Sequence, residues 1–383
     1  MTEVALYDLS PALRLMLMGM LIAVGPLAWV WLKNRNTTVS QRLRALTWVT
    51  LFLTFDLVVF GAFTRLTDSG LGCPDWPGCY GSASPLGAQS QITAAQAALP
   101  SGPVTLPKAW IEMIHRYLAT AVGVLILVLA ISSWLERKKM SISPWWPTVT
   151  LMWVCLQGAF GALTVTMKLF PAIVTLHLLG GMTLLALLKV QSVKYAQAKG
   201  EQMTVQLSAN TRWLLLATFA LLWFQIALGG WVSTNYAVMA CTDFPACQNS
   251  MWPMMNFIEG FTLWRELGAG RNGDNISFQA LTAIHYVHRL SAYGVFAAMA
   301  LLVVKLLKVD AMRTPAKWLA GLALLQAATG LGNVLLGWPL AAAVLHTGGA
   351  AGLVIVLTGM VAASRGAAVV AAVRLGSRTG LHA

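Results

Sequence analysis

The sequence predicts an all-α membrane protein with nine transmembrane helices, arranged as two four-helix bundles plus one extra N-terminal helix. The composition, the lengths of the apolar stretches and an internal duplication support this fold class. Hydrophobic residues make up 57% of the 383-residue chain and charged residues only 10%, which excludes an ordinary soluble domain. A bilayer core of roughly 30 Å takes about 20 apolar helical residues to cross. The stretches of this length are 12–33, 45–66, 109–135, 145–167, 171–193, 211–234, 279–306, 315–337 and 339–364.

The distribution of Lys and Arg predicts the orientation of these helices. Basic residues concentrate in alternate loops, such as 33–44 and 137–139, and in the tail at Arg365, Arg374 and Arg378. Short loops of this kind stay on the cytoplasmic side. We expect a periplasmic N-terminus and a cytoplasmic C-terminus in a bacterial inner membrane, since nothing at the N-terminus is typical of an organellar transit peptide. The net charge of +13 then reflects topology and contact with lipid rather than nucleic-acid binding.

The chain contains an internal duplication. The segment "GAFTRLTDSGLGCPDWPGC" at 61–79 aligns with "GGWVSTNYAVMACTDFPAC" at 229–247, and segment 156–177 aligns with 325–346. Each copy holds four predicted helices, an even number, so both copies should enter the membrane in the same orientation as parallel repeats. The predicted domains are an extra helix with a basic loop at 1–44, a first bundle at 45–200 and a second bundle at 201–383.

Each copy carries one pair of histidines near the outer ends of its helices. "EMIHRYL" aligns with "HYVHRLS", which matches His115 with His288, and His177 matches His346. One intramembrane histidine is explained by a hydrogen bond between helices, but two pairs, each roughly 9 Å deep, favour a shared function. Two facing imidazoles suit an iron porphyrin with two axial ligands. Zinc or copper would recruit further Cys, Asp or Glu ligands.

Other polar residues lie close to these histidines in the sequence. Gln157 and Gln326 match between the copies, and either they form hydrogen bonds between helices or they orient a ligand. Asp56, deep in a helix, either bonds to a neighbouring helix or belongs to a proton path. Three arginines near the outer surface are predicted to pair with haem propionates: Arg65, Arg116 and Arg289.

The two copies differ one turn before the first histidine. Glu112 stands there in the first copy and His285 in the second, and Arg65 is matched by Ser233. A carboxyl group beside a haem can move protons, which a haem that only transfers electrons does not require. A simpler explanation stays open, because an acid in the first turn of a helix is favoured by the helix dipole. His285 also competes with His288 as the axial ligand.

The cysteines fall in the two outer loops. Cys73 and Cys79, and Cys241 and Cys247, are separated by five residues on the side where disulfides persist. We predict one disulfide in each loop, capping its bundle, because the spacing is not that of a C-x-x-C exchange motif. The stretch 81–108 is predicted to be a loop with one short surface helix.

These motifs resemble the haem A synthase family. The resemblance is carried by "FTRLTDSGLGCPDWPGC", "EMIHR", "TLHLLGG", "HYVHR" and "VLHTGG", in this order. It implies that His115 and His177 face the substrate haem O and that Glu112 takes part in catalysis. It also implies that His288 and His346 ligate a haem b that relays electrons. The implied reaction oxidises the C8 methyl group of haem O to the formyl group of haem A.

The resemblance has further implications for the rest of the chain. Partners would be haem O synthase, oxidase assembly factors and membrane lipid, and Cys73 and Cys79 would serve haem transfer or activity. The electron acceptor is not identified, and the first helix lies outside the eight-helix core of the family. Two alternatives are kept. One is a membrane cytochrome with two bis-histidine haems that only transfers electrons, and the other is a transporter with a midplane site and broken helices.

Overall fold

The structure is a computed structural model that describes residues 10–140, 142–270 and 274–366. Almost all of its regular structure is helical. Two three-residue strands, β1 (Val205–Leu207) and β2 (Ser364–Gly366), pair in parallel. The α-helices are α1 (Ser10–Lys33), α2 (Val39–Leu66), α3 (Gln89–Ala98), α4 (Leu106–Leu135), α5 (Trp145–Thr166), α6 (Pro171–Ala198), α7 (Ala209–Thr234), α8 (Phe257–Gly260), α9 (Phe278–Leu306), α10 (Arg313–Leu335) and α11 (Leu340–Ala363). Short 3-10 helices occupy Arg137–Lys139, Ala237–Ala240 and Asp310–Met312.

Nine helices in the described part of the chain are long and apolar enough to cross a membrane: α1, α2, α4, α5, α6, α7, α9, α10 and α11. The predicted membrane-protein class and its nine apolar segments are therefore confirmed. The largest difference is in α2, which begins at Val39 rather than at residue 45. Thr38 and Gln41 form a capping box there, so the helix extends through a polar turn that hydropathy does not detect.

The described residues form two compact units. The first unit contains the residues up to Leu184 and those of segment 262–275, and the second contains 185–261 and the residues from 276 onward. The first unit includes α2, α4 and α5, and the second includes α7, α9, α10 and α11, with a long loop after α2 and another after α7. The order of elements repeats, as the duplication predicts. The predicted domain bounds and the repeat axis stay predictions.

Two further expectations concern the loops and the tail. The loop between α2 and α4 contains the single helix α3, as predicted for residues 81–108. Arg365 belongs to β2. Arg374 and Arg378, two of the basic residues on which the predicted orientation rests, lie outside the described residues. The orientation of the two termini stays a prediction.

The extra N-terminal helix α1 packs against α4. A Cβ atom added at Gly19 would lie 2.4 Å from Cγ2 of Thr120 and 3.0 Å from the carbonyl carbon of the same residue. Near the start of α1, Leu15 joins a buried cluster that includes Cys73, Cys79 and other residues of the first unit. Close packing of this kind relies on small residues at the helix contact. We infer that α1 is an integral part of the first unit.

Gly19→Ala should therefore destabilise the first unit, because the new methyl group meets backbone that cannot rotate away. We expect a loss of about 1–3 kcal/mol, as is usual for overpacking, seen as a lower thermal unfolding midpoint in detergent. Gly25→Ala on the same helix is the matched control, since a Cβ there meets no described atom within 4 Å. Equal midpoints for the two variants would contradict the proposed packing of α1.

Candidate functional site

In the first unit, each predicted ligand histidine faces a glycine on a neighbouring helix. A Cβ added at Gly61 of α2 would lie 3.0 Å from Nε2 of His115 on α4. A Cβ added at Gly161 of α5 would lie 3.5 Å from Cε1 of His177 on α6. A Cβ atom at Gly61 would crowd the ring of His115, whereas one at Gly161 would make an ordinary van der Waals contact with His177. Each imidazole therefore packs against its neighbouring helix at a glycine.

The second unit repeats this arrangement at the aligned positions. A Cβ at Gly229 of α7 would lie 2.9 Å from Cε1 of His288 on α9, and one at Gly330 of α10 would lie 3.3 Å from Cε1 of His346 on α11. The same residue type thus occupies the same place opposite all four rings. Sequence reasoning did not identify these glycines, although the alignment of the copies matches them in pairs.

The structure brings the predicted histidines together in pairs. His115 and His177 are close enough for a charge on one imidazole to act on the other, and the same holds for His288 and His346. His285 lies one turn nearer the start of α9, with Nδ1 3.0 Å from the carbonyl oxygen of Ala237. His288 is the histidine of α9 that lies within electrostatic range of His346.

Glu112 is buried and anchored in the first unit. Its side chain is 5% exposed, its Oε2 accepts a hydrogen bond of 2.8 Å from the backbone N–H of Cys73, and its Oε1 lies 2.5 Å from Nη2 of Arg116. The proposal that Glu112 sits in the first turn of its helix is wrong. Helix α4 begins at Leu106 after the N-cap Thr105, so Glu112 lies in the second turn. The helix dipole does not account for it.

Disulfides close both outer loops, Cys73 with Cys79 and Cys241 with Cys247. An aspartate inside each ring fixes the turn that follows. Asp75 accepts hydrogen bonds from the backbone N–H groups of Tyr80 and Gly81, at 2.6 and 2.8 Å. Asp243 accepts the equivalent bonds from Gln248 and Asn249, at 2.8 and 2.9 Å. The two loops are therefore built in the same way.

Two of the arginines predicted to pair with haem propionates bind the backbone of these loops. Nη1 of Arg116 donates to the carbonyl groups of Asp75, Pro77 and Gly78, and Nη1 of Arg289 donates to those of Asp243 and Ala246. Each guanidinium thus ties the helix that carries a ligand histidine to a disulfide loop.

The third predicted propionate arginine, Arg65, and the acid within the membrane span, Asp56, both lie on α2. Arg65 forms an ion pair of 3.2 Å with Asp68 at the end of that helix. Asp56 lies on an exposed part of α2. A role in propionate binding stays a prediction for Arg65, as it does for Arg116 and Arg289.

Polar side chains contact both histidines of the second unit. Nε2 of Gln225 lies 3.1 Å from Nδ1 of His288, and Oγ1 of Thr329 lies 3.0 Å from Nδ1 of His346. Gln326, which the sequence singled out, donates to the backbone carbonyl of His346 at 2.8 Å. Sequence reasoning missed Gln225 and Thr329, since neither has a polar counterpart in the first copy.

The fold and this site define a multi-pass membrane protein whose two units each enclose a pair of imidazoles. Residues 44–358 match the COX15-CtaA family, described as cytochrome oxidase assembly proteins. The chain is 36% identical over 318 residues to the haem A synthase of Shewanella oneidensis, covering 82% of this chain and 94% of that protein. It is 29% identical over 329 residues to the haem A synthase of Caulobacter vibrioides, covering 80% and 91%. The chain belongs to the COX15-CtaA family, and the resemblance to haem A synthases is confirmed.

The hydrogen bond from the N–H of Asn249 holds the pKa of Asp243, in the loop of the second unit, below its ordinary value. Its stabilising effect is present above the ordinary carboxyl pKa and is lost as the pH falls through the lowered one. At neutral pH, Asp243→Asn should speed reduction of the Cys241–Cys247 disulfide by a phosphine roughly fivefold. The difference should vanish in strong acid, where the native carboxyl is also protonated.

Thiol labelling followed by mass spectrometry measures this rate. Asp75→Asn is the matched control, because it alters the other loop and should leave reduction of Cys241–Cys247 unchanged. A wild-type rate for Asp243→Asn at neutral pH would show that the carboxylate does not hold the loop.

Proposed function

We propose that the protein oxidises the C8 methyl group of haem O to the formyl group of haem A. The observation that carries the proposal is the pair of histidines in each unit, every ring facing a glycine, with a buried carboxyl group beside the pair in the first unit. The curated relatives that cover most of the chain are named haem A synthases, which supports the same reaction.

The first unit is the proposed substrate site. His115 and His177 would face the iron of haem O, and each ring packs against a glycine of a neighbouring helix, Gly61 or Gly161. Among the described residues, nothing forms a hydrogen bond with the buried Nδ1 of His177. No hydrogen bond at Nδ1 therefore fixes the orientation of this ring.

The second unit is the proposed site of a resident haem b. His346 fits a metal ion because its Nδ1 has the hydroxyl of Thr329 as a partner, which leaves Nε2 for coordination, and the amide of Gln225 holds His288 beside it. Each ring packs against a glycine on the facing helix, Gly229 or Gly330. When bound, haem b would supply one-electron transfer between the substrate site and an acceptor. The side chains of the second unit hold and orient it.

Glu112 is the proposed proton carrier of the reaction. Converting a methyl group and one water molecule into a formyl group releases four protons and four electrons, so protons must leave the site. The carboxyl group of Glu112 lies one turn from His115, and the hydrogen bonds from Cys73 and Arg116 fix its position. General acid–base groups of this kind contribute typically 10²–10⁴-fold to a rate.

The setting of the reaction is a bacterial inner membrane. We place the histidine pairs and the disulfide loops on the periplasmic side, with the N-terminus outside and the C-terminus inside, because the basic loops alternate accordingly. Haem O synthase would supply the substrate, and an oxidase assembly pathway would consume haem A. The two units would be parallel repeats of one four-helix bundle.

Replacing Glu112 tests the proposed reaction. Glu112→Gln keeps the volume and one acceptor for the Cys73 N–H, so the variant should fold and bind haem O. We expect haem A formation to fall by about 10²–10⁴-fold, with unoxidised or half-oxidised porphyrin accumulating, as measured by mass spectrometry of extracted porphyrins. Glu136→Gln, which changes the acid that pairs with Lys139 at the other end of α4, is the control and should form haem A normally.

Two outcomes would contradict this account. Unchanged haem A formation by Glu112→Gln would remove Glu112 from catalysis. A wild-type protein that binds two haems but never oxidises supplied haem O would instead be a dihaem membrane cytochrome that only transfers electrons.

A further inference from the structure

We propose that Gln225 and Thr329 are positioning residues that fix the rings of His288 and His346, and that the first unit lacks this device. The inference rests on the proposed function, in which the second pair holds a resident haem. It explains why two copies of one histidine arrangement would differ in how firmly they retain iron porphyrin.

The contacts to the second pair come from two different helices. The amide of Gln225, on α7, lies 3.1 Å from both Nδ1 and the backbone oxygen of His288. The hydroxyl of Thr329, on α10, lies 3.0 Å from Nδ1 of His346 and also donates to the carbonyl of Leu325 on its own helix at 2.7 Å. The hydroxyl of Thr329 therefore accepts from Nδ1–H of His346, whereas the amide of Gln225 lies beside the ring of His288, 3.5 Å from its Nε2 as well. A partner at Nδ1 sets ring orientation and ligand basicity.

The aligned positions of the first unit carry apolar residues. Leu57 stands where the second copy has Gln225, and Phe160 stands where it has Thr329. His115 instead stacks on the ring of Phe60, with centroids 6.4 Å apart and planes inclined by 11°. Neither Leu57 nor Phe160 has a group that can bond to an imidazole nitrogen. Neither Leu57 nor Phe160 therefore orients His115 or His177 by a side-chain hydrogen bond.

The amide of Gln225 also ties His288 to α7 through the backbone. Its Nε2 donates to the backbone carbonyl of His288 at 3.1 Å and lies beside the imidazole ring. A half-turn of the amide would place Oε1 opposite that carbonyl oxygen, and two acceptors cannot bond to each other. The observed orientation of the amide is therefore the one that holds His288 in place.

Substitutions at these two residues test the inference. Gln225→Leu installs the residue of the first copy, and Thr329→Val removes the hydroxyl at similar volume. Both are made in a His177→Ala parent, so that bound haem reports on the second unit. We expect haem transfer to apomyoglobin to be about 10- to 100-fold faster than from the parent. In Thr329→Val the midpoint potential of the remaining haem should rise, because losing the acceptor at Nδ1 makes the imidazole less basic, and a less basic ligand stabilises ferric iron less.

Two controls separate positioning from general damage. Thr218→Val removes a buried hydroxyl of α7 that donates to the carbonyl of Leu214 on its own helix, and it should leave both readouts unchanged. Thr329→Ser keeps the hydroxyl and should restore the parent potential and release rate.

The outcomes distinguish a failure of the proposed function from a failure of this inference alone. A parent that binds no haem in its second unit would overturn the proposed function, and this inference with it. A parent that binds haem, with Gln225→Leu and Thr329→Val indistinguishable from Thr218→Val, would overturn the inference alone. Faster release from Thr329→Val at an unchanged potential would also overturn it, since a loosened fold releases haem without altering the ligand.

Discussion

The site depends on one steric constraint, because each of the four imidazoles packs against a glycine on the facing helix. The closest approach is at Gly229, where even a methyl group would lie 2.9 Å from Cε1 of His288. Helices that pack this closely could not accept a larger residue without moving the ring. The glycines therefore set how near each histidine ring lies to the neighbouring helix.

The two units share these histidines, glycines and disulfides, and they differ at a few aligned positions. The first unit has Glu112, which accepts a hydrogen bond from the disulfide loop, whereas His285 in the second unit bonds to a loop carbonyl group. The second unit has Gln225 and Thr329 beside its histidines. We infer that one unit was adapted to proton transfer and exchange of substrate, and the other to retention of a cofactor. The shared disulfide loops show that the outer ends of both units kept a common support.

Much of this architecture follows from the sequence, and the failures have physical causes. Apolar length predicts the nine spans of the described chain because the bilayer sets a strict requirement, and the duplication matches the histidines and cysteines in pairs. Helix starts are less predictable, since Thr38 and Thr105 begin helices in polar or proline-containing turns that hydropathy excludes. For that reason, hydropathy alone places Glu112 in the first turn of α4, one turn too early. The loop carbonyls that bind Arg116 were not foreseeable, because tertiary contacts leave no periodic signal.

The most direct test of the central claim is an experimental density map of the protein purified from haem-replete cells, with haem O added during purification. The account predicts planar density with iron between His288 and His346, and a second porphyrin between His115 and His177. Porphyrin density that approaches other residues would contradict it. So would a map in which the side chains of each pair contact one another directly with no iron between them.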